Sequence, residues 1–311
     1  MVKVIRLCGG LGNQLFEYAL GLYVADITKD EVLFDTKSFE LAPFVTDQVH
    51  IRYVLDNFNA KIKEAPMSLM SDVMHIPFVK FGSNMEIPKG HICFLDPYGS
   101  FESVEKTVQD YKDKDVFFRH YATTEGYCKK YRKILQKDLT LKEELSPENK
   151  DMLAKIKSTN SVSVNIRRGD YLRYRMDIDI IYQQRAIEYI KEKVKDPHFF
   201  IFSNDPDWVK ENLKIDSPTT YVNINDTING HFDFELIKNC KHNIIANSTF
   251  SWWAAWLNDN KEKIVCAPDP WIKALPSLNG TYEHTIPEGW VRIKSTIDKV
   301  VKIPRINFSF G

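Results

Sequence analysis

The chain has 311 residues, 43% hydrophobic and 27% charged, which suits either two folded domains or one large α/β domain. Its 42 Lys and Arg balance 42 Asp and Glu, so no overall field exists to hold nucleic acid or an anionic membrane. Any anionic ligand must therefore be met by a local basic cluster. Cys8, Cys93, Cys128, Cys240 and Cys266 are scattered, form no C-x-x-C pair and read as reduced thiols. The opening Met1-Val-Lys-Val-Ile-Arg-Leu lacks the pattern of a signal peptide. No run approaches the roughly 18 to 20 apolar residues that span a bilayer. Together these features predict a cytoplasmic protein whose only membrane option is peripheral contact at the inner face.

In chain order, Val2–Leu7 reads as a strand and is followed by Cys8-Gly9-Gly10-Leu11-Gly12-Asn13-Gln14. A helix is predicted next, with Leu15, Tyr18, Ala19 and Leu22 at helical spacing. A second strand, Glu31–Phe34, ends at Asp35. From residue 40 to 135 the pattern is irregular and rich in aromatics and prolines, so periodicity assigns nothing there. Lys137–Lys157 reads as a charged helical stretch, with Ser146-Pro147-Glu148 as a helix start. Strands follow at Ser161–Ile166, His198–Phe202, Thr219–Ile224, His242–Ala246 and Lys263–Ala267. Helices fall between them at Tyr182–Val194, Asp207–Leu213, Phe232–Asn239 and Ser251–Leu257. This alternation implies a parallel, doubly wound sheet, which binds ligands outside the carboxyl ends of its strands. The loops after Ile166, Phe202 and Ala246 are therefore the candidate site.

Four constellations carry chemistry. Gly10 and Gly12, between a strand and a helix, let backbone N–H groups approach an anion at the positive helix end. A tight turn with no ligand is the bland alternative. Arg167, Arg168 and Asp170 directly follow a strand. Arginines there are costly to leave unpaired, and a diphosphate suits their forked donors, although a surface Arg–Asp pair has the same sequence. Asp170 is placed to orient one arginine. Asn247-Ser248-Thr249-Phe250-Ser251 again joins strand to helix, and its hydroxyls suit either helix capping or phosphate. Trp252, Trp253 and Trp256 beyond it read as core. Asp205, after Ser203 and Asn204, can accept guanine N–H groups, but alone it is better read as the cap of the next helix. Asp177-Ile178-Asp179 matches a metal-holding D-x-D only by three residues, and no histidine pair has ligand spacing, so no metal is expected. Basic residues do not interleave with aromatics on one face, which argues against nucleic acid.

In order and spacing these segments resemble the bacterial α-1,2-fucosyltransferases, glycosyltransferase family 11. Residues 9 to 19, Gly-Gly-Leu-Gly-Asn-Gln-Leu-Phe-Glu-Tyr-Ala, are similar to that family's opening motif. Val164–Asp170 is similar to its His-x-Arg-Arg-x-Asp motif, and Phe200–Asp205 and Cys240–Trp253 to its later blocks. The likeness spans about residues 1 to 290. It implies a GT-B architecture of two Rossmann-like, doubly wound domains facing across a cleft. Residues 1–150 would form the acceptor side and 151–290 the GDP-sugar side, with 291–311 a C-terminal tail of no assigned role. The implied reaction is inverting, metal-independent transfer of L-fucose from GDP-β-L-fucose to a glycan hydroxyl. The expected position is O2 of a terminal galactose, in surface polysaccharide or O-antigen synthesis. No cofactor is implied, since GDP-fucose is a substrate.

By the same likeness Arg167 or Arg168 holds the diphosphate and Asn13 lies near the donor sugar, on a loop with Gly10, Gly12 and Gln14. Asp205 would read the guanine and Ser248 and Ser251 would lie near the phosphates, with Ser203, Asn247 and Thr249 also among the donor-binding residues. Asn165 stands where the family motif has histidine; it hydrogen-bonds but does not titrate. The middle region, Phe78–Gly126, also departs from the family pattern, so the acceptor does not carry over. No catalytic base is identified among Asp96, Glu125, Glu17 and Asp170. Two other classes compete. Gly10-x-Gly12 with Asp35 suggests a nicotinamide-dependent oxidoreductase, which Leu15 in place of the third glycine weakens. Asn165 suggests a different nucleotide sugar, or binding without catalysis.

Overall fold

A computed structural model describes residues 1–41, 52–70, 83–87, 91–95, 101–119, 123–173, 175–272 and 283–296. The first half begins with strand β1 (Val2–Arg6), helix α1 (Leu11–Thr28) and strand β2 (Glu31–Asp35). Short helices α2 (Ser38–Leu41) and α3 (Met67–Met70) precede strands β3 (Ser83–Ile87) and β4 (His91–Leu95). Helix α4 (Phe101–Asp110), strand β5 (Val116–Phe118) and helix α5 (Arg132–Asp138) complete it. These strands form one sheet in the order β2-β1-β5-β4-β3, parallel except for the β3–β4 pair. Periodicity predicted only β1, α1 and β2 of this. The hairpin, α4 and β5 lie in a stretch whose strands, of three to five residues, are too short to leave a clean period.

The second half starts at helix α6 (Pro147–Lys157), where the Ser146 hydroxyl accepts the Asn149 N–H at 3.3 Å. The helical stretch expected from Lys137 is thus broken. Helix α5 ends at Asp138, and Asn59 and Phe58 pair with Thr140 and Leu141 before α6 begins. Strand β6 (Asn160–Ile166) leads into a short helix α7 (Gly169–Arg173) that the sequence did not announce, then α8 (Ile181–Lys193). Strand β7 (Pro197–Ser203), helix α9 (Pro206–Asn212), strand β8 (Thr219–Val222) and helix α10 (Gly230–Lys238) follow. The described chain closes with β9 (His242–Ile244), α11 (Thr249–Leu257), β10 (Val265–Asp269) and β11 (Val291–Lys294). All six strands are parallel, in the order β11-β10-β9-β6-β7-β8. That is a doubly wound order, and the direction of winding reverses between β6 and β9. Strand β11 falls where a tail was expected, at the sheet edge against β10; residues 297–311 lie outside the described residues. The two sheets, parallel apart from the β3–β4 pair, with their covering helices give the GT-B-like α/β architecture.

One hydrophobic core joins the halves, because α1 is buried on nearly every side. Phe16 lies 4.6 Å from the Trp252 ring and 5.0 Å from Trp253, both fully buried on α11. Aromatic pairs of this kind add to their area burial, so α1 and α11 are held as one packed unit. The carbonyl end of α11 is capped by cations. Lys263 Nζ donates to Ala255 O, Trp256 O and Asn258 O at 2.7, 3.2 and 2.8 Å, and Arg132 stacks 4.6 Å over Trp256. Positive charge at that end complements the helix dipole. The other end of α11 is the one that meets α1.

Candidate functional site

The site is built from three strand ends. After β1, Gly9 takes φ +70°, a left-handed conformation that L side chains resist. Gly10 then begins α1 without any side-chain cap. Gln14 secures this turn. Its Nε2 donates to Gly9 O and Arg52 O at 2.9 and 2.8 Å, and its Oε1 accepts the Val54 N–H at 3.0 Å. Gln14 is fully buried, so its amide is used within the protein. Gly12 faces the start of α11 so closely that a Cβ there would come under 3.0 Å from the backbone of Thr249 and Phe250. Alongside, the Thr249 hydroxyl donates to Asn13 Oδ1 at 2.8 Å. Two helix N-termini, one from each half, therefore abut.

The hydroxyls at α11 suit either helix capping or phosphate, and none of them caps it: Ser248 makes no cap bond, Thr249 is engaged by Asn13, and Ser251 donates back to Ala246 O and Ser248 O at 3.3 and 3.1 Å. Each helix start carries roughly half a positive charge on N–H groups lacking helical partners. Two such ends side by side offer an anion a cradle of N–H donors that needs no net charge on the chain.

Beyond β6 the two arginines diverge. Arg167 Nη2 lies 2.9 and 3.0 Å from the Asp170 oxygens, its guanidinium is 5.4 Å from the Tyr171 ring, and its buried Nε has no partner. Arg168 donates through Nε to Asp205 Oδ2 at 3.1 Å and stacks 3.3 Å from the Trp208 ring centroid. Its N–H also donates to Asn204 Oδ1 at 2.9 Å, and Asn204 packs where Gly169 has no Cβ. The expected helix cap at Asp205 is thus corrected. The residue stands at the start of α9 but makes no side-chain cap bond, because Arg168 takes its carboxylate. Ser203 Oγ instead accepts the Asp205 N–H at 3.0 Å.

Asn165 and Asn247, at the ends of the strands flanking the winding reversal, are 6% and 3% exposed, and the Oδ1 of each lacks a partner. Asn247 Nδ2 anchors Met176 O at 2.8 Å, and the Tyr171 hydroxyl donates to Asn247 O at 3.3 Å. A chain of contacts therefore links three of the motifs, from Gly12 and Asn13 through Thr249, Asn247 and Tyr171 to Arg167. A second branch runs from Arg168 to Asp205. Trp208 and Tyr171 are the members sequence reasoning missed; a lone aromatic at the start of a helix gives no signal by itself.

Compared with known proteins, the chain matches Glycosyl transferase family 11 over residues 1–294. It belongs to that family. It is 32% identical over 307 residues to an Alpha-1,2-colitosyltransferase of Escherichia coli, covering 94% of this chain and 99% of the other. The O-antigen biosynthesis glycosyltransferase WbnK of Escherichia coli is 28% identical over 294 residues, covering 86% and 93%. Among solved structures, a mutant of Arabidopsis thaliana FUT1 in complex with GDP aligns with a TM-score of 0.48 at 10% identity, covering 86% and 70%. The family expected from the four sequence blocks is the family found.

The other residues weighed for this family 11 glycosyltransferase have mostly structural partners. Asp179 Oδ1 accepts the Ile181 N–H at 3.1 Å, and Asp35 Oδ1 the Lys37 N–H at 2.9 Å. Among the described residues no group of His, Cys, Asp and Glu has the arrangement of a metal site, and no helix is long and apolar enough to cross a membrane. Of the base candidates, Glu125 accepts the Trp256 Nε1–H at 3.0 Å, toward the far end of α11 from the cradle. Asp170 pairs with Arg167, and Asp96 lies outside the described residues.

Glu17 is fully buried under the glycine turn, accepting the Cys8 N–H at 2.8 Å and its thiol at 3.0 Å. Burial raises its carboxyl well above the ordinary range, against the lowering effect of those bonds and of Arg6. A raised folded pKa contributes stability at acid pH that is lost as pH climbs from the ordinary carboxylate value through the raised one. Glu17→Gln keeps the acceptor without the buried charge. It is expected to melt above the wild type at pH 8, with the gap closing toward pH 4. Its kcat should stay within about threefold, where losing a working base costs roughly 100-fold or more. Thermal melts and initial rates check both.

Proposed function

We propose that this enzyme transfers L-fucose, with inversion, from GDP-β-L-fucose to O2 of a terminal galactose in a surface glycan such as an O-antigen. The observation that carries this reading is the abutment of the α1 and α11 starts beside Arg167, whose buried Nε is unpartnered. Displacement at the anomeric carbon builds negative charge on the departing diphosphate. Preorganised N–H groups and a guanidinium aimed at that charge stabilise the transition state most where water is excluded. In this reading Arg167 and the helix ends take that role without a metal. Asp170 orients Arg167, and the two buried asparagine carbonyls face N–H or O–H groups of the donor. Residues 1–150 supply the acceptor side and 151–290 most of the donor side, on the cytoplasmic side of the membrane.

A second reading follows from the colitosyltransferase relative. Colitose is fucose without its 3-hydroxyl, so the same cradle serves either sugar and the difference rests on one hydroxyl contact. The test is transfer to a panel of β-galactosides with EDTA present, from GDP-fucose and GDP-colitose separately, with products read by mass spectrometry. A deoxyhexose adduct from GDP-fucose at the higher kcat/KM supports the first reading. Preference for GDP-colitose replaces it with the second. Binding of both donors without transfer to any acceptor removes the catalytic reading.

A further inference from the structure

Between Arg167 and α8 the chain builds a short wall across the winding reversal. Helix α7 leaves the end of β6, and the Tyr171 hydroxyl donates to Asn247 O, beyond β9, at 3.3 Å. Asn247 Nδ2 in turn donates to Met176 O at 2.8 Å, so the segment is tied at both ends. It closes with two backbone bonds, Met176 N–H to Tyr171 O at 2.9 Å and Arg175 N–H to Leu172 O at 3.2 Å. That pair ends a helix by placing one residue in the left-handed region, where glycine is the usual choice.

Here the residue is Arg175, at φ +54°. A Cβ is unfavourable in that conformation, and such strain clusters at ligand sites, where it is part of the mechanism. Among the described residues two other non-glycines have positive φ, Lys29 and Asp196. They directly precede β2 and β7, and so lie at the opposite end of the sheets from the crevice. Lys29 also uses its side chain, pairing with Asp26 at 2.9 Å.

Arg173 and Arg175 are both exposed, and among the described residues neither guanidinium has a hydrogen bond or an ion pair. Asp170, on the same helix, is taken by Arg167, and Asp177 is half-buried and pairs with neither. The wall thus carries two unpaired forks on its solvent side, each suited to bidentate contact with a phosphate or a carboxylate. On its crevice side Arg167 and the helix ends already serve the donor diphosphate, which leaves the outer forks to the other substrate.

We propose that Arg173 and Arg175 form an oxyanion subsite for the acceptor, so that the enzyme selects a glycan bearing a phosphate or a carboxylate over a neutral one. This rests on the reading that the crevice binds a nucleoside diphosphate sugar and transfers its sugar. Arg175 keeps its strained position because its side chain makes this contact.

The test measures transfer from GDP-fucose to three β-galactosides: one neutral, one with a phosphate and one with a carboxylate on its aglycone. The full-length wild type is compared with Arg173→Ala, Arg175→Gly and Arg175→Lys, with thermal melts and GDP inhibition alongside. The wild type has a higher kcat/KM on an anionic acceptor than on the neutral one, and whichever anion it prefers names the group. Arg175→Gly melts at or above the wild type, because glycine relieves the left-handed position. Even so, it and Arg173→Ala each lose about fivefold of the acceptor preference. Arg175→Lys, with the charge but not the fork, retains part of it. GDP inhibition stays within about twofold throughout. An Arg175→Gly enzyme with the wild-type acceptor preference overturns the proposal, as does a wild type with equal kcat/KM on all three acceptors. GDP inhibition that weakens along with the preference overturns it too, since the arginines would then serve the donor. A wild type that binds GDP-fucose and transfers to none of the acceptors removes the catalytic reading, and the proposal with it.

Discussion

Gly12→Ala is expected to lower the kcat/KM for the donor by about 100-fold or more and to lower the melting temperature as well. The added methyl meets backbone rather than a flexible side chain, lying under 3.0 Å from the Thr249 carbonyl and the Phe250 nitrogen. Backbone at a helix start gives way only by moving the helix, and α11 is pinned by three buried tryptophans and by Lys263. Overpacking of this kind costs about 1–3 kcal/mol, and the displacement separates the two N–H arrays that form the cradle. Gly10→Ala is the control. It has φ −77°, and a Cβ there meets nothing within 4 Å, so its melting temperature should match the wild type. Equal losses of stability in both variants would show that the close approach at Gly12 is not the cause. Calorimetry and initial-rate kinetics decide it.

Arg167→Ala is the second large effect. Loss of one preorganised donor to a developing anion costs on the order of 100-fold or more in kcat. The same change leaves Asp170 without its cation at a partly buried position. Arg167→Lys restores charge but not the fork, and should recover only part of the loss. The variant's KM for acceptor should stay near the wild-type value, since the proposed role of the guanidinium is toward the leaving group. Near-wild-type turnover in both Arg167→Ala and Arg168→Ala would remove the arginines from the chemistry altogether.

The second half was legible from the sequence because its buried parallel strands are short apolar runs set off by helices with clear spacing. Strand order was not, since it depends on which crossovers turn back, and only the pairing of β6 with both β7 and β9 reveals the reversal. In the first half β3 mixes polarity, and β4 and β5 are largely apolar runs of five and three residues, too short for a period to mark them. At the site the glycine turn and the arginine pair were visible as residue types. What each group does was not. Asp205 before Pro206 looks the same whether it caps α9 or holds Arg168, and the competitor for its carboxylate lies 37 residues away in the chain. The abutment of Gly12 and Thr249 is likewise a property of two sheets packed together, invisible to any local window.

Amide hydrogen exchange with and without GDP-fucose tests directly whether both helix starts hold one diphosphate. Slowed exchange on donor binding is expected in residues 9–14 and 247–251 together, with 165–170 protected alongside. Protection confined to one half of the chain, or absent from both helix starts in an enzyme that binds the donor, would contradict it.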